Sequence, residues 1–246
     1  MKISIIGNGH IGKGYLKVFP EAYIYDSPLG IGTKEEANQT DLAIVCVPTP
    51  MKEDGSCDIS IVEEVISWLE TPLILIKSTI PPGTADYLKS KYKKRICFSP
   101  EYMGEGEYWV PEWQYPNPQD PTSHGFQIIG GAKEDADEIA EIMITKLGPS
   151  TKFYIVEAIE AEVIKYMENS WGATKVSFVQ EFYDICKVFG ASWNRVREGF
   201  LLDPRVERMH TAVFPKKRKW GGKCWPKDIN AIIKAVEEKG YSADLL

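Results

Sequence analysis

The sequence predicts an α/β protein in which a doubly wound parallel sheet is followed by a helical domain. Three observations support this prediction. Short apolar runs alternate with helical patterns up to about residue 130, a glycine-rich turn follows the first run, and the second half of the chain has mainly helical patterns. Strands that alternate with helices are typical of a parallel sheet covered on both faces.

The predicted strands are mostly continuous apolar runs, as expected of parallel strands that are buried on both faces. They lie at 2–6, 22–25, 41–47, 73–77, 95–98 and 126–130. Helical patterns connect several of these runs, for example at 58–69 and 83–92. A further amphipathic helix over 133–147 is followed by Gly148 and Pro149, which form a stop signal.

The second half of the chain changes character near residue 155. A long helical pattern covers about 157–189, and further patterns follow at about 192–201 and 226–239. We therefore predict a dinucleotide-type domain over 1–155 and a helical domain over 156–246. The segment 104–125 is rich in glycine, proline and aromatic residues, and predicts a long surface loop that is either functional or packed by its own aromatic side chains.

Composition excludes several classes of protein. The chain has 246 residues, 43% hydrophobic and 26% charged, with a net charge of −6 that argues against non-specific nucleic-acid binding. No apolar run reaches the roughly 18 residues needed to span a membrane. The chain opens directly on a strand, so we expect no signal peptide and a cytoplasmic location. The five cysteines lack metal-ligand spacing, which favours free thiols and no metal site.

A dinucleotide-binding motif follows the first predicted strand. Gly7, Gly9 and Gly12 have the spacing GxGxxG, which combines a tight turn, close approach to a pyrophosphate and close helix–strand packing. Asp26 ends the second strand, where an acid binds ribose hydroxyls and repels a 2′-phosphate. The sequence thus predicts a Rossmann-type site for NAD. The alternative is a glycine-rich turn with an incidental surface aspartate.

Cys224 lies in the most informative stretch, 221–228. Pro226 suits the first turn of a helix, so Cys224 is expected at or just before a helix N-terminus, flanked by Lys223 and Lys227. Both influences favour the thiolate, and the preceding glycines leave room for a ligand. The alternative, a buried structural cysteine, is equally compatible with the local sequence.

Two other patterns are ambiguous by themselves. Lys165 and Asn169 are four residues apart and share one face of the long helix, but a solvated lysine beside an incidental asparagine would look the same. The basic run 216–219 is interpreted first as a solvated loop, then as a contact to substrate phosphates, and only weakly as a nuclear-localisation signal.

Taken in order, these segments resemble the UDP-glucose/GDP-mannose dehydrogenase family over nearly the whole chain. The matching segments are GNGHIG at 7–12, VCVPTP at 45–50, KSTIPPGT at 77–84, SPE at 99–101, the AE…K…N helix at 161–169, DPRV at 203–206 and GGKCWPKD at 221–228. The resemblance implies NAD-linked oxidation of a sugar primary alcohol to a carboxylate, with UDP-glucose or a related nucleotide sugar as substrate.

The resemblance also implies roles for individual residues. Cys224 would form a thiohemiacetal and then a thioester, Lys165 and Asn169 would stabilise the oxyanion, and Glu101 would assist hydrolysis by a water that Asp228 and Thr79 orient. The implied cofactor-binding residues are Gly7, Gly9, His10, Ile11, Gly12, Asp26, Pro48, Thr49, Thr79 and Glu101. The implied substrate-binding residues are Glu101, Tyr102, Met103, Lys165, Asn169, Arg205 and Gly221, with Arg205 acting across a dimer interface.

Some features depart from the family pattern. Gly104 replaces a basic residue, and the segment between Asp26 and Asp41 is short. The chain is expected to lack the family's nucleotide-sugar-binding domain, which would leave an apolar face of the helical half exposed, so we expect a homodimer. A second chain that supplies that domain is a further candidate partner. Two other functions stay open: a two-electron β-hydroxyacid dehydrogenase, which does not need Cys224, and an inactive NAD-binding module.

Overall fold

The computed structural model of the protein describes residues 1–104, 120–222 and 224–246. These residues form two compact units, Met1–Lys165 and Tyr166–Leu246. The domain boundary near residue 155 stays a prediction. Most of the predicted loop 104–125 and the predicted role of Lys223 lie outside the described residues.

The first unit is built on one sheet of seven described strands in the order β2-β1-β3-β4-β5-β6-β7. Their bounds are β1 Ile3–Ile6, β2 Tyr23–Tyr25, β3 Leu42–Val45, β4 Leu73–Ile76, β5 Ile96–Phe98, β6 Phe126–Gly130 and β7 Lys152–Val156. The chain passes from β1 to β2 on one side and then to β3 on the other. This reversal marks the crevice where doubly wound sheets bind ligands.

Helices cover both faces of this sheet, as the continuous apolar strands predict. In the first unit they are α1 His10–Val18, α2 Lys34–Ala37, α3 Ser60–Trp68, α4 Thr84–Tyr92 and α5 Lys133–Leu147, and a 3-10 turn lies at Pro121–Ser123. Within β3, Ala43 and Val45 pack towards α3 and α4. Leu42 and Ile44 pack towards α1 and α5. Side chains that alternate between two faces therefore fill two separate cores.

The structure differs from the predicted sheet in two places. The strand β7 was not predicted, although Phe153 and Ile155 alternate with the exposed Lys152 and Tyr154 in the pattern of a half-buried edge strand. The predicted doubly wound parallel sheet is confirmed except at one pair, because β6 runs antiparallel to β5 although it is parallel to β7. Unlike two parallel neighbours, an antiparallel pair such as β5 and β6 does not require a crossover connection.

The second unit is helical, as predicted. The long helix α6, Ala158–Val188, begins in the first unit and continues into the second, followed by α7 at Trp193–Phe200 and α8 at Cys224–Glu237. The part of α6 in the second unit has several exposed large apolar side chains, namely Met167, Trp171, Phe178, Phe182, Ile185 and Val188. Among the described residues, no helix is both long and apolar enough to cross a membrane.

Candidate active site

The glycine-rich loop between β1 and α1 has the geometry of a dinucleotide site. Gly7 has a φ of +99° and a Cβ there would lie 2.8 Å from the carbonyl oxygen of Cys46, while a Cβ on Gly12 would lie 1.9 Å from that of Gly7. A Cβ on Gly9 would meet no atom within 4 Å. Gly7 and Gly12 thus serve the turn and its packing, whereas Gly9 leaves open space where a pyrophosphate can approach the backbone.

The N-terminus of α1 is suited to an anion. Within the described part of the chain, no side chain caps this helix and no acid lies in its first turn, so its first N–H groups can bind phosphate oxygens. His10 and Ile11 begin the helix, and the exposed imidazole Nε2 of His10 lies 3.0 Å from the carbonyl oxygen of Gly104. These features fit the phosphates of NAD.

Asp26 is held beside this loop by hydrogen bonds to both carboxylate oxygens. Oδ2 accepts from the backbone N–H of Asn8 at 2.7 Å, and Oδ1 accepts from that of Leu29 at 3.0 Å. The backbone of Asp26 also pairs with Ile31 in both directions, at 2.9 and 3.0 Å. The short segment after β2 therefore folds into a tight turn that fixes the acid next to the glycine loop.

We expect the protein to bind NAD at least about tenfold more tightly than NADP, a difference of about 1.4 kcal/mol, because the Asp26 carboxylate repels a 2′-phosphate. Titration with each reduced cofactor, followed by nicotinamide fluorescence, measures both affinities. Asp26→Asn keeps an oxygen that can accept a hydrogen bond from the backbone N–H of Asn8 but removes the charge. It should therefore reduce the ratio of NAD affinity to NADP affinity. Equal affinities in the unmodified protein would contradict the assignment.

The predicted cofactor residues after β3 and β4 lie at the carboxyl ends of two paired parallel strands. Ser78 Oγ donates to the carbonyl oxygen of Val47 at 2.7 Å and ties the two segments together. Pro48 is exposed, Thr49 is buried and Thr79 is half-buried. The structure therefore brings these three predicted residues to the same edge of the sheet, where a doubly wound fold binds its ligand.

Glu101 and Lys165 meet in the first unit. The backbone N–H groups of Tyr102 and Met103 donate to Glu101 Oε1 at 2.7 and 2.8 Å. Lys165 donates to the carbonyl oxygen of Glu101 and lies 5.3 Å above the centre of the Tyr102 ring. Met103 packs against α1, since a Cβ on Gly14 would lie 2.4 Å from its sulfur. The substrate-binding residues predicted at 101–103 are thus held by local hydrogen bonds and by packing against α1.

In the second unit, α8 begins at Cys224, as the sequence predicts. Asp228 lies four residues later and therefore on the same face of the helix. Its side chain is only 1% exposed, and Oδ2 accepts from Asn169 Nδ2 at 2.5 Å while Oδ1 pairs with the ammonium group of Lys227. A buried carboxylate is thereby held by an amide and a cation, on the face that bears the cysteine.

Trp225, the residue after the cysteine, is held against α6. Its ring packs on Gly172, where a Cβ would lie 2.6 Å from Cζ2 of the ring. The ring also makes an edge-to-face contact with the imidazole of His210, with 5.0 Å between the two ring centres. His210 has a left-handed backbone with a φ of +64°, which is uncommon outside glycine. Sequence reasoning missed both neighbours because neither lies near Trp225 in the chain.

We expect Gly172→Ala to destabilise the protein by about 1–3 kcal/mol, because the new methyl group displaces the Trp225 ring. Gly199→Ala is the matched control: it also lies in a helix, and its Cβ would meet no atom within 4 Å. That variant should gain up to about 1 kcal/mol from helix propensity. Urea unfolding of both variants measures the difference, and stabilisation by Gly172→Ala would disprove the close packing.

The basic run at 216–219 is not simply a solvated loop, which corrects the first interpretation of Arg218. This guanidinium forms a bidentate pair with Asp184 at 2.7 and 3.0 Å and donates to Gln180 Oε1 at 3.0 Å. It also lies 5.0 Å from the centre of the Tyr183 ring. Arg218 therefore fastens the segment before the cysteine to α6, while Lys216, Lys217 and Lys219 are exposed.

Two of the predicted substrate-binding residues lie on the surface of the second unit. The side chain of Arg205 is 87% exposed and forms a bidentate pair with Asp203. Gly221 is exposed as well. Their roles stay predictions, as do those of the other assigned residues. No cluster of described residues has the composition of a metal site.

Both units match the same protein family. Residues 21–144 match the NAD binding domain of the UDP-glucose/GDP-mannose dehydrogenase family, and residues 159–246 match its central domain. The fold agrees with solved relatives. A UDP-glucose dehydrogenase from Pyrobaculum islandicum superposes with a TM-score of 0.81 at 23% identity, over 99% of this chain and 66% of that one.

Curated relatives of the chain belong to the same class of enzyme. The chain is 31% identical to a UDP-glucose 6-dehydrogenase of Rickettsia prowazekii, over 86% of this chain and 48% of that protein. It is 29% identical to a UDP-glucose 6-dehydrogenase of Haloferax volcanii, over 98% of this chain and 58% of that protein. The chain thus spans about half the length of the curated relatives that it matches.

Proposed function

Because the chain belongs to the UDP-glucose/GDP-mannose dehydrogenase family, we propose that it oxidises the C6 primary alcohol of a nucleotide sugar to a carboxylate, with NAD as oxidant. UDP-glucose is the first candidate substrate, since similar proteins are named UDP-glucose 6-dehydrogenase. The glycine loop, the uncapped N-terminus of α1 and the fixed Asp26 support NAD as the cofactor.

The observation that carries this proposal is the arrangement around Cys224. The thiol lies at the N-terminus of α8, where the helix dipole favours a thiolate. Asp228 lies on the same face and is held by Asn169. A simple alcohol dehydrogenase does not need a nucleophilic cysteine, whereas oxidation to an acid through a thioester does, because the thiolate captures the intermediate aldehyde.

The reaction balances with one sugar, one water and two NAD. The alcohol loses a hydride and a proton to give the aldehyde, and the Cys224 sulfur adds to the aldehyde carbon to give a thiohemiacetal. Loss of a second hydride and a proton gives the thioester. Water attacks its carbonyl carbon, the C–S bond breaks, and the acid leaves with the thiolate restored. When bound, NAD accepts the hydride in each oxidation.

The other assigned residues have roles that suit their chemistry. In this proposal, Lys165 and Asn169 stabilise the oxyanion of the hemiacetal, since a cation and an amide donor oppose developing negative charge. Asp228 and Thr79 orient the attacking water, and Glu101 accepts its proton. Arg205, Tyr102, Met103 and Gly221 contact the substrate.

A homodimer is part of the proposal. The second unit exposes large apolar side chains along α6, including Trp171 at 56% and Val188 at 82% of their surface. Such a row of exposed apolar side chains is typical of a surface that another chain covers. A second copy is the partner we propose, and a separate chain that supplies a uridine-binding domain is compatible with it. The cytoplasmic location stays a prediction.

The stoichiometry of NADH tests the proposed function. Purified protein supplied with UDP-glucose and excess NAD should form two NADH for each UDP-glucuronate. One NADH for each molecule of a β-hydroxy acid, with none from UDP-glucose, would favour the two-electron alternative. NAD binding without turnover of either substrate would favour an inactive module.

A further inference from the structure

The first unit contains a buried lysine for which the proposed chemistry has no role. Lys77 follows β4 and is 1% exposed. Its ammonium group donates to Ser99 Oγ and to the carbonyl oxygen of Pro100, both at 2.9 Å, and lies 4.9 Å above the centre of the Tyr15 ring. Burial of a lysine is costly unless its charge is compensated, so these contacts call for an opposite charge nearby.

That charge is Glu101. Its Oε2 lies 3.8 Å from Lys77 Nζ, which is within ion-pair range but too far for a hydrogen bond. Oε1 is already occupied by the two backbone N–H groups of Tyr102 and Met103. Oε2 is buried and has no hydrogen-bond partner among the described residues. The carboxylate therefore has one anchored oxygen and one oxygen that is electrostatically compensated but still free to accept a proton.

We propose that Lys77 is a positioning residue that compensates the negative charge of Glu101 while leaving Oε2 free as a proton acceptor, and that its two hydrogen bonds fix the Ser99–Glu101 segment. An ammonium group at hydrogen-bond distance would occupy the lone pair that the water must reach. At 3.8 Å it stabilises the charge through space without blocking that lone pair. This inference rests on the proposed function only in naming the attacking water as the molecule that gives its proton to Glu101.

Other titratable groups surround the pair of Lys77 and Glu101. Besides Glu101, the titratable groups whose charge affects Lys77 are Cys46 and Lys165. Those whose charge affects Tyr15 are Glu101 and Cys46. Burial lowers the pKa of Lys77, and the negative charge of Glu101 opposes this. Burial raises the pKa of Tyr15 well above its usual value, so its hydroxyl stays neutral beside the carboxylate.

A double-variant cycle tests the pairing without any substrate. Lys77→Met, Glu101→Gln and the double variant are compared by urea unfolding. Either single variant leaves an uncompensated buried charge, so the double variant should unfold at a higher urea concentration than Lys77→Met. Additive changes in the free energy of unfolding would overturn the proposal, whether or not the protein oxidises a nucleotide sugar.

A second measurement separates a charge effect from a loss of anchoring. Ser99→Ala removes one hydrogen bond but keeps the charge of Lys77. In the active enzyme, Lys77→Met should move the acidic limb of the pH profile of kcat upward by about one unit or more, and Ser99→Ala should not. An unmoved limb in Lys77→Met, or an equal shift in Ser99→Ala, would also overturn the proposal. If UDP-glucose is not oxidised at all, the proposed function fails. The unfolding experiments with the three variants still determine whether Lys77 and Glu101 interact.

Discussion

Replacement of Cys224 by alanine is expected to abolish acid formation, with a loss on the order of a thousandfold or more. Without the sulfur, neither the thiohemiacetal nor the thioester can form. NAD binding should persist, because the glycine loop and Asp26 belong to the first unit. Direct assay of UDP-glucuronate, beside calorimetry with NAD, measures both effects.

Cys186→Ala is the matched control, because this second thiol on a helix of the same unit is buried. It should retain acid formation. Alkylation near neutral pH provides a second readout, in which Cys224 should be modified first because it is the one cysteine that is not buried. Undiminished acid formation by Cys224→Ala, or earlier modification of a buried thiol, would rule out this nucleophile.

Two glycines of the cofactor loop should respond to alanine in opposite ways. Gly12→Ala is expected to cost about 3 kcal/mol of stability, because its Cβ would lie 1.9 Å from the carbonyl oxygen of Gly7 and the helix must shift. Gly9→Ala should leave stability nearly unchanged, since its Cβ would meet no protein atom within 4 Å. That methyl group would occupy the space of the pyrophosphate and weaken NAD binding about tenfold or more.

Urea unfolding and NAD titration of the two variants make the comparison. The expected pattern is a stable Gly9→Ala protein that binds NAD poorly, and an unstable Gly12→Ala protein. Normal NAD affinity in Gly9→Ala would mean that the pyrophosphate does not approach the loop at this point. Normal stability of Gly12→Ala would contradict the close packing of α1 on the turn.

Sequence reasoning located what depends on local patterns. The apolar runs predicted strands, the glycine spacing predicted the loop before α1, and Pro226 predicted where α8 begins. It missed contacts between distant parts of the chain. Arg218 binds Asp184, which lies 34 residues earlier, so nothing in the run of basic residues distinguished it from its solvated neighbours. For the same reason, the catalytic assignments came from the resemblance and not from spacing.

The strand β7 and the pair of Lys77 with Glu101 show two different limits. The alternation in β7 could have been detected, since an exposed lysine and tyrosine alternate with apolar neighbours. The pairing could not, because a lysine after an apolar strand usually marks a solvated end. Its burial is a consequence of how β4 and β5 align in the sheet, and alignment is a property of the whole fold.

The burial of the other thiols determines how the protein should respond to oxidants. Cys46, Cys57, Cys97 and Cys186 are buried, and burial raises the pKa of Cys97 to about 12. Peroxide reacts with accessible thiolates, so oxidation in the folded state is directed to Cys224. Small thiols reduce the sulfenic acid of Cys224 back to the thiol, whereas they do not reverse further oxidation to the sulfinic or sulfonic acid. Loss of activity in peroxide would therefore follow a single modification, and early treatment with a reductant would restore it.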